Sequence, residues 1–147
     1  METEGLGGTD ITVKVWIVPR PQKRPRAVRT GAGARAYKDP GQARDAANLV
    51  AALLESRPER PIEGPVRVGF EACFTLPKSV PKRRRAWMLG GFRHVTKPDV
   101  DNLGKFLLDC LQEAQYFRDD RQVTQLWGAK RYVEGAGYWE MTVGPAL

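Results

Sequence analysis

The amino-acid sequence predicts a small α+β, or mixed α/β, domain: a four-stranded mixed sheet with two main helices packed over one face. Three observations carry that expectation. Two segments alternate apolar and polar residues, two others repeat apolar residues at helical spacing, and the chain closes on two further strand-like runs around a Gly-rich turn. A chain of 147 residues suits one domain. Residues 1–10, acidic and Gly-rich, read as a flexible N-terminal tail, and 11–147 as the folded unit.

The first element is "DITVKVWIV", where Ile11, Val13, Val15 and Ile17 alternate with Thr12, Lys14, Trp16 and Val18 until Pro19 ends the run. From there "PRPQKRPRAVRTGAGARAYKDP" is dense in Pro, Arg and Gly without an apolar period, which predicts an extended loop. Asp39 before Pro40 is a helix-start signal: a capping side chain followed by a residue whose fixed φ suits the first turn. Ala43, Ala46, Ala47, Val50, Leu53 and Leu54 then hold helical spacing until "ESRPERPIEGP" breaks it.

A second strand follows in "PVRVGFEACFTL", with Val66, Val68, Phe70, Ala72 and Phe74 on one face and a more polar set on the other. The segment "PKSVPKRRRAWMLGGFRHVTKP" reads as a basic loop with a short helical turn around Arg84 to Leu89. Leu103, Phe106, Leu107, Cys110, Leu111 and Ala114 mark the clearest helix of the chain. The last stretch, "QYFRDDRQVTQLWGAKRYVEGAGYWEMTVGP", reads as a hairpin of two strands turning at Gly135 to Gly137. Its Tyr138, Trp139 and Met141 suit core packing, with a subunit interface as the alternative.

Composition narrows the function. With 24 Lys+Arg against 17 Asp+Glu, a formal net charge of +7 and a pI near 9.7, the chain attracts polyanions, nucleic acid foremost. No run is apolar over the length of a membrane span, and the N-terminus lacks the basic-then-apolar pattern of a secretory leader. A cytoplasmic protein with no membrane partner is expected. Cys73 and Cys110 sit inside apolar patterns without metal-type spacing, as small reduced core residues do. His94, the one histidine, has no cluster of ligands around it.

Against this positive background, "HVTKPDVDNLGKFLLDC" sets Asp99 and Asp101 one residue apart at a helix start. In an extended segment, which Pro98 favours for Lys97, side chains i and i+2 share a face. Two carboxylates on one face repel unless a cation lies between them, and Mg²⁺ is held by one or two carboxylates while keeping water and phosphate ligands. The same residues also suit a plain helix start, with Asp101 or Asn102 as the cap. Asp119 and Asp120 form another acidic pair just after the helix. Lys105, one turn beyond Asp101, suits either charge stabilisation of a phosphate or a pair with Asp101 and Asp109.

"TKPDVDNLGKFLLDCL" followed by "YFRDDRQV" resembles the RusA family of Holliday-junction resolvases. The family pattern is K-P-D-x-D-N, a lysine shortly after, an apolar helix and D-D-x-Q-[VI]. The likeness extends weakly upstream through "PRPQKRPR", "AYKDP" and "LPKSVPKRRRAWMLGG", so it spans Val15 to Val133. The resemblance implies a RusA-like fold. It places Asp99 and Asp101 on paired metal-binding aspartates, Asp120 on a third essential carboxylate and Lys105 on a catalytic lysine. Asn102 matches a position without an assigned chemical role, Asp119 accompanies the third acid, and Gly104 departs from a position that is often bulkier.

What the resemblance implies is a Mg²⁺-dependent homodimer, with Mn²⁺ as an alternative ion, that cuts four-way DNA junctions by paired symmetric nicks in recombination and repair, in a bacterium or a phage. Lys23, Arg24 and Arg26 in the first basic loop, and Lys82, Arg83, Arg84, Arg85 and Lys97 before the acids, are the expected phosphate contacts. Trp87 and Phe92 fit either a wedge at the crossover or a small loop core. Competing readings are a broader flap or fork nuclease, a catalytically silent branched-DNA-binding protein and an RNA-associated basic protein.

Overall fold

The computed structural model describes residues 10–20, 26–30, 33–37 and 40–147, with backbone alone for 26–30, 33–37, 40 and 42. The elements are β1 (Ile11–Val15), β2 (Arg26–Thr30), β3 (Gly33–Tyr37), α1 (Pro40–Leu54), β4 (Val66–Thr75), α2 (Lys82–Leu89), α3 (Val100–Glu113), β5 (Val123–Val133) and β6 (Tyr138–Pro145), with a 3₁₀ turn at Asp120–Gln122. The expected four-stranded sheet is present in the order β1-β6-β4-β5. It is mixed: β6 runs antiparallel to β1 and β4, whereas β4 and β5 are parallel. Parallel neighbours need a long crossover, and here residues 76–122, carrying α2 and α3, supply it. The fold is α+β.

One face of this sheet carries the core. Val13 and Val15 of β1, Val66, Val68, Phe70 and Ala72 of β4, and Trp139, Met141 and Val143 of β6 pack with Leu49 and Leu53 of α1 and with Leu103, Phe106, Leu107, Cys110 and Leu111 of α3. Period two in the strands and period 3.6 in the helices meet in one cluster. The opposite face keeps a small cluster of Cys73, Val133 and Tyr138 beside the Arg131–Glu71 ion pair (2.6 Å). Both cysteines are buried and free, and Tyr138, Trp139 and Met141 are all buried within the chain. No helix among the described residues is long and apolar enough to cross a membrane.

Four expectations are corrected. The loop expected at residues 19–40 contains the antiparallel ribbon β2–β3; two-stranded pairing rests on a backbone ladder and needs no buried side-chain face. The helical turn at 84–89 is a full two-turn helix, α2. On α1 the core-facing residues are Leu49 and Leu53, with Ala46, Val50 and Ala52 beside them; Ala43 and Ala47 are exposed and Leu54 is 43% exposed. The stripe is thus rotated toward Leu49.

The fourth correction concerns the terminal hairpin. β5 and β6 are joined at Glu134–Gly137 but are not paired, because β4 lies between them. The connection passes over the end of β4: Thr75 Oγ1 donates to the Gly135 carbonyl (2.7 Å), and the Leu76 amide donates to the Val133 carbonyl (2.9 Å). Gly135 adopts φ +84°, and a Cβ at Gly137 would stand 2.8 Å from the Cys73 carbonyl oxygen. Glycines are needed here for a close backbone crossing rather than for a tight two-residue turn.

The N-terminal tail (residues 1–9) and the Asp39 cap lie outside the described residues. Asp10 is described and pairs with the Arg67 guanidinium.

Candidate active site

Asp99 is the N-cap of α3, with extended φ −75° and ψ 145°, and Asp101 lies in the first helical turn. The pair is therefore displayed by a cap and a helix start, not by one extended segment. The Asp99 side chain makes no capping hydrogen bond, so its oxygens are left for another partner, and both residues are exposed. The positive end of a helix favours negative charge at this place. Lys105 is exposed one turn along the same helix.

The approach to this pair is anchored from beneath. His94 is 7% exposed and its ring lies between Phe74 (4.5 Å) and Tyr132 (4.6 Å). Burial, and then the charge of Lys130, hold its imidazole below the usual histidine range. It is a packed ring, with Nδ1 buried and unpartnered. Two residues on, Lys130 Nζ of β5 donates to the carbonyls of Thr96 (2.6 Å) and Pro98 (2.8 Å). The Lys97–Pro98 bond is cis.

At the other end of α3, two adjacent aspartates have different duties. Asp119 accepts from the Arg121 amide (2.8 Å) and from the Arg121 guanidinium (3.1 and 2.9 Å). Those bonds hold its carboxyl below the usual range. Gln122 completes a reciprocal cap: its Oε1 accepts from the amides of Arg118 (2.9 Å) and Asp119 (3.0 Å), while its Nε2 donates to the carbonyls of Ile62 and Gly64 (both 2.9 Å). The Asp120 amide is held by Gln112 Oε1 (2.9 Å), and its side chain is exposed. The D-D-x-Q pattern thus consumes the first acid as a cap and presents the second.

These acids do not converge within one chain. Asp120 is tied to Gln112, which lies eleven residues after Asp101; at helical rise that is about 16 Å along the axis. No group of three or more His, Cys, Asp or Glu side chains able to hold a metal exists among the described residues. Asp99 and Asp101 are hard oxygen donors of the kind and number that Mg²⁺ takes from protein while keeping water and phosphate. Asp120 of the same chain does not join them.

Of the basic residues, Lys82, Arg83, Arg84 and Lys97 are exposed. Arg85 is turned to its own chain, donating to the Pro77 carbonyl (3.1 Å) and standing 3.8 Å from Glu134. Lys23 and Arg24 lie outside the described residues, and Arg26 begins β2 with its side chain outside them. Trp87 and Phe92 are 57% and 59% exposed; the Arg93 guanidinium lies over Trp87 (4.2 Å), and Phe92 meets Trp127 edge-on (6.1 Å). Two residues escaped sequence reasoning: Gln122, whose signal was the cap spacing from Asp119, and Lys130, whose role depends on a strand remote in sequence.

Comparison with known proteins decides the lineage. The profile of the endodeoxyribonuclease RusA family matches residues 17–138. The chain belongs to the RusA family. It is also 36% identical over 129 residues to the uncharacterized protein YqaN of Bacillus subtilis (strain 168), covering 84% of this chain and 89% of that one. This RusA-family membership supports a nuclease acting on DNA.

Proposed function

We propose that this chain is a Mg²⁺-dependent, structure-selective endonuclease that resolves Holliday junctions by paired symmetric nicks, in the recombination and repair of bacterial or phage DNA in the cytoplasm. The observation that supports it best is the exposure of three carboxylates: Asp99 makes no capping bond at the start of α3, Asp101 is exposed in its first turn, and Asp119 rather than Asp120 caps the 3₁₀ turn. Bound Mg²⁺ would supply a water of lowered pKa and polarise the phosphoryl oxygen. Asp99 and Asp101 would hold it, and Mn²⁺ in its place. Lys105 is set to stabilise negative charge developing on phosphate. Lys82, Arg83, Arg84 and Lys97 would grip the backbone beside the acids.

A homodimer follows from two arguments. A four-way junction has pseudo-twofold symmetry, which a twofold dimer matches strand for strand. The span of α3 also separates Asp120 from the first pair, so a second copy with its α3 antiparallel would carry its own Asp120 to Asp99 and Asp101.

The test follows an end-labelled four-way junction, flap and fork substrates and a matched linear duplex with Mg²⁺ or chelator. Paired nicks on the junction alone, with metal alone, in the wild type and not in Asp101→Asn, are expected. Tight junction binding without any cut would move the function to a silent binding protein. Equal cutting of flaps and forks would make it a broader branched-DNA nuclease.

A further inference from the structure

We propose that Lys130 is a positioning residue for the acidic turn: it fixes Thr96 to Asp99 from beneath and thereby sets where the two carboxylates stand. This inference rests on the nuclease reading above for its consequence in cleavage, and on geometry alone for the clamp itself.

The segment from His94 to Pro98 has no regular secondary structure, yet it leads directly into the Asp99 cap. A loop at this place scatters its carboxylates unless something defines its path. Two anchors do so. The buried ring of His94, slotted between Phe74 and Tyr132, fixes the start. Lys130 fixes the end, with one ammonium bridging the carbonyls of Thr96 and Pro98 at 2.6 and 2.8 Å. Charge-assisted bonds of this length are the strong class. The Pro98 carbonyl belongs to the peptide bond that Asp99 completes, so its anchor lies one bond from the first acid.

Lys130 is set to do this because of its strand. β5 is paired in register with β4, Lys130 opposite Ala72, and Ala72 faces the helix layer. Its side chain therefore rises on the face from which α3 begins. Lys130 is half-buried, and two of its three donors are committed to backbone, which sets it apart from the outward arginines of α2.

The experiment compares wild type with Lys130→Met, which keeps length and apolar bulk but removes the donors. Backbone ¹⁵N order parameters at Thr96, Lys97 and Asp99 are expected to fall from the rigid range, about 0.85, to below about 0.6 in the variant, with β4 and β6 unchanged. Junction Kd is expected to stay within about threefold, and the single-turnover cleavage rate to fall about 100-fold, the scale set by a misplacement near 1 Å. Lys130→Cys supplies a second route: loss in the free-thiol form and recovery after aminoethylation, which rebuilds a lysine-like side chain. Cys73 and Cys110 do not compete, being buried, with burial pushing the Cys110 thiol up to about 12.

Unchanged order parameters at Thr96, Lys97 and Asp99 in both variants would overturn the clamp. So would a weakened junction Kd with a salt slope lower by about one and an intact cleavage rate, the signature of a phosphate contact. If the wild type cuts no DNA while the order-parameter result holds, the nuclease reading fails and the clamp stands.

Discussion

Asp119 and Asp120 share a chemistry and differ in what surrounds them. Asp119 is spent on Arg121 and on the turn it caps, whereas Asp120 keeps an exposed carboxylate. Asp119→Asn should therefore lower the melting temperature by a few degrees and leave most of the cleavage rate, while Asp120→Asn should leave the melting temperature in place and abolish cleavage. Thermal melts and a junction assay on both variants check the split. His94 makes a second residue-scale prediction. Its folded pKa lies below the unfolded value, so the unfolded chain takes up a proton first as pH falls. Its contribution to stability is complete above about pH 6.5 and declines below it. The melting temperature should fall between pH 7.5 and 5.5 in the wild type and stay flatter in His94→Phe; since His94 is the one histidine, its imidazole signal reports the titration directly.

Among the elements, β4 and α3 were legible because a buried face imprints its period on the residues: Val66, Val68, Phe70 and Ala72 in one, Leu103 through Leu111 in the other. What escaped is what no local period records. The β2–β3 ribbon has no apolar alternation to betray it, and the separation of β5 from β6 depends on β4, about sixty residues earlier. The acidic pair was legible as residues, but its support from Lys130 was not, since those contacts join positions 32 and 34 apart in the chain. Gly104 illustrates the same limit. Phe70 lies between two glycines: a Cβ at Gly104 would meet its ring at 3.3 Å and one at Gly128 at 2.5 Å. Gly128→Ala should cost about 1–3 kcal/mol through overpacking, while Gly104→Ala should come out near zero because helix propensity returns up to about 1 kcal/mol; urea unfolding of both variants measures the difference. For α2, the outward Lys82, Arg83 and Arg84 should act together as a phosphate grip. Replacing all three by alanine should reduce the slope of log affinity against log salt by roughly 2–3, measured by junction-binding titrations from low to moderate salt, with the bound cleavage rate retained.

At the scale of the whole molecule, the decisive number is the length of α3. Asp101 and the Gln112 that tethers Asp120 lie about 16 Å apart along the axis, so under the proposed function a site that uses all three acids would draw them from two chains. This makes subunit exchange a sharp test. Asp101→Asn and Asp120→Asn are each expected to be inactive alone. If each site takes Asp99 and Asp101 from one copy and Asp120 from the other, a mixed dimer of the two variants holds one doubly damaged site and one intact site. Random mixing would then restore about one quarter of the wild-type sites, and these would release singly nicked junctions rather than resolved duplexes. If instead each chain assembled its own site, every site in every mixed dimer would carry one lesion, and mixing would restore nothing. Gel separation of nicked from resolved products, after refolding the variants together at equal concentration, distinguishes the two architectures and also tests whether paired cutting requires both sites of one dimer.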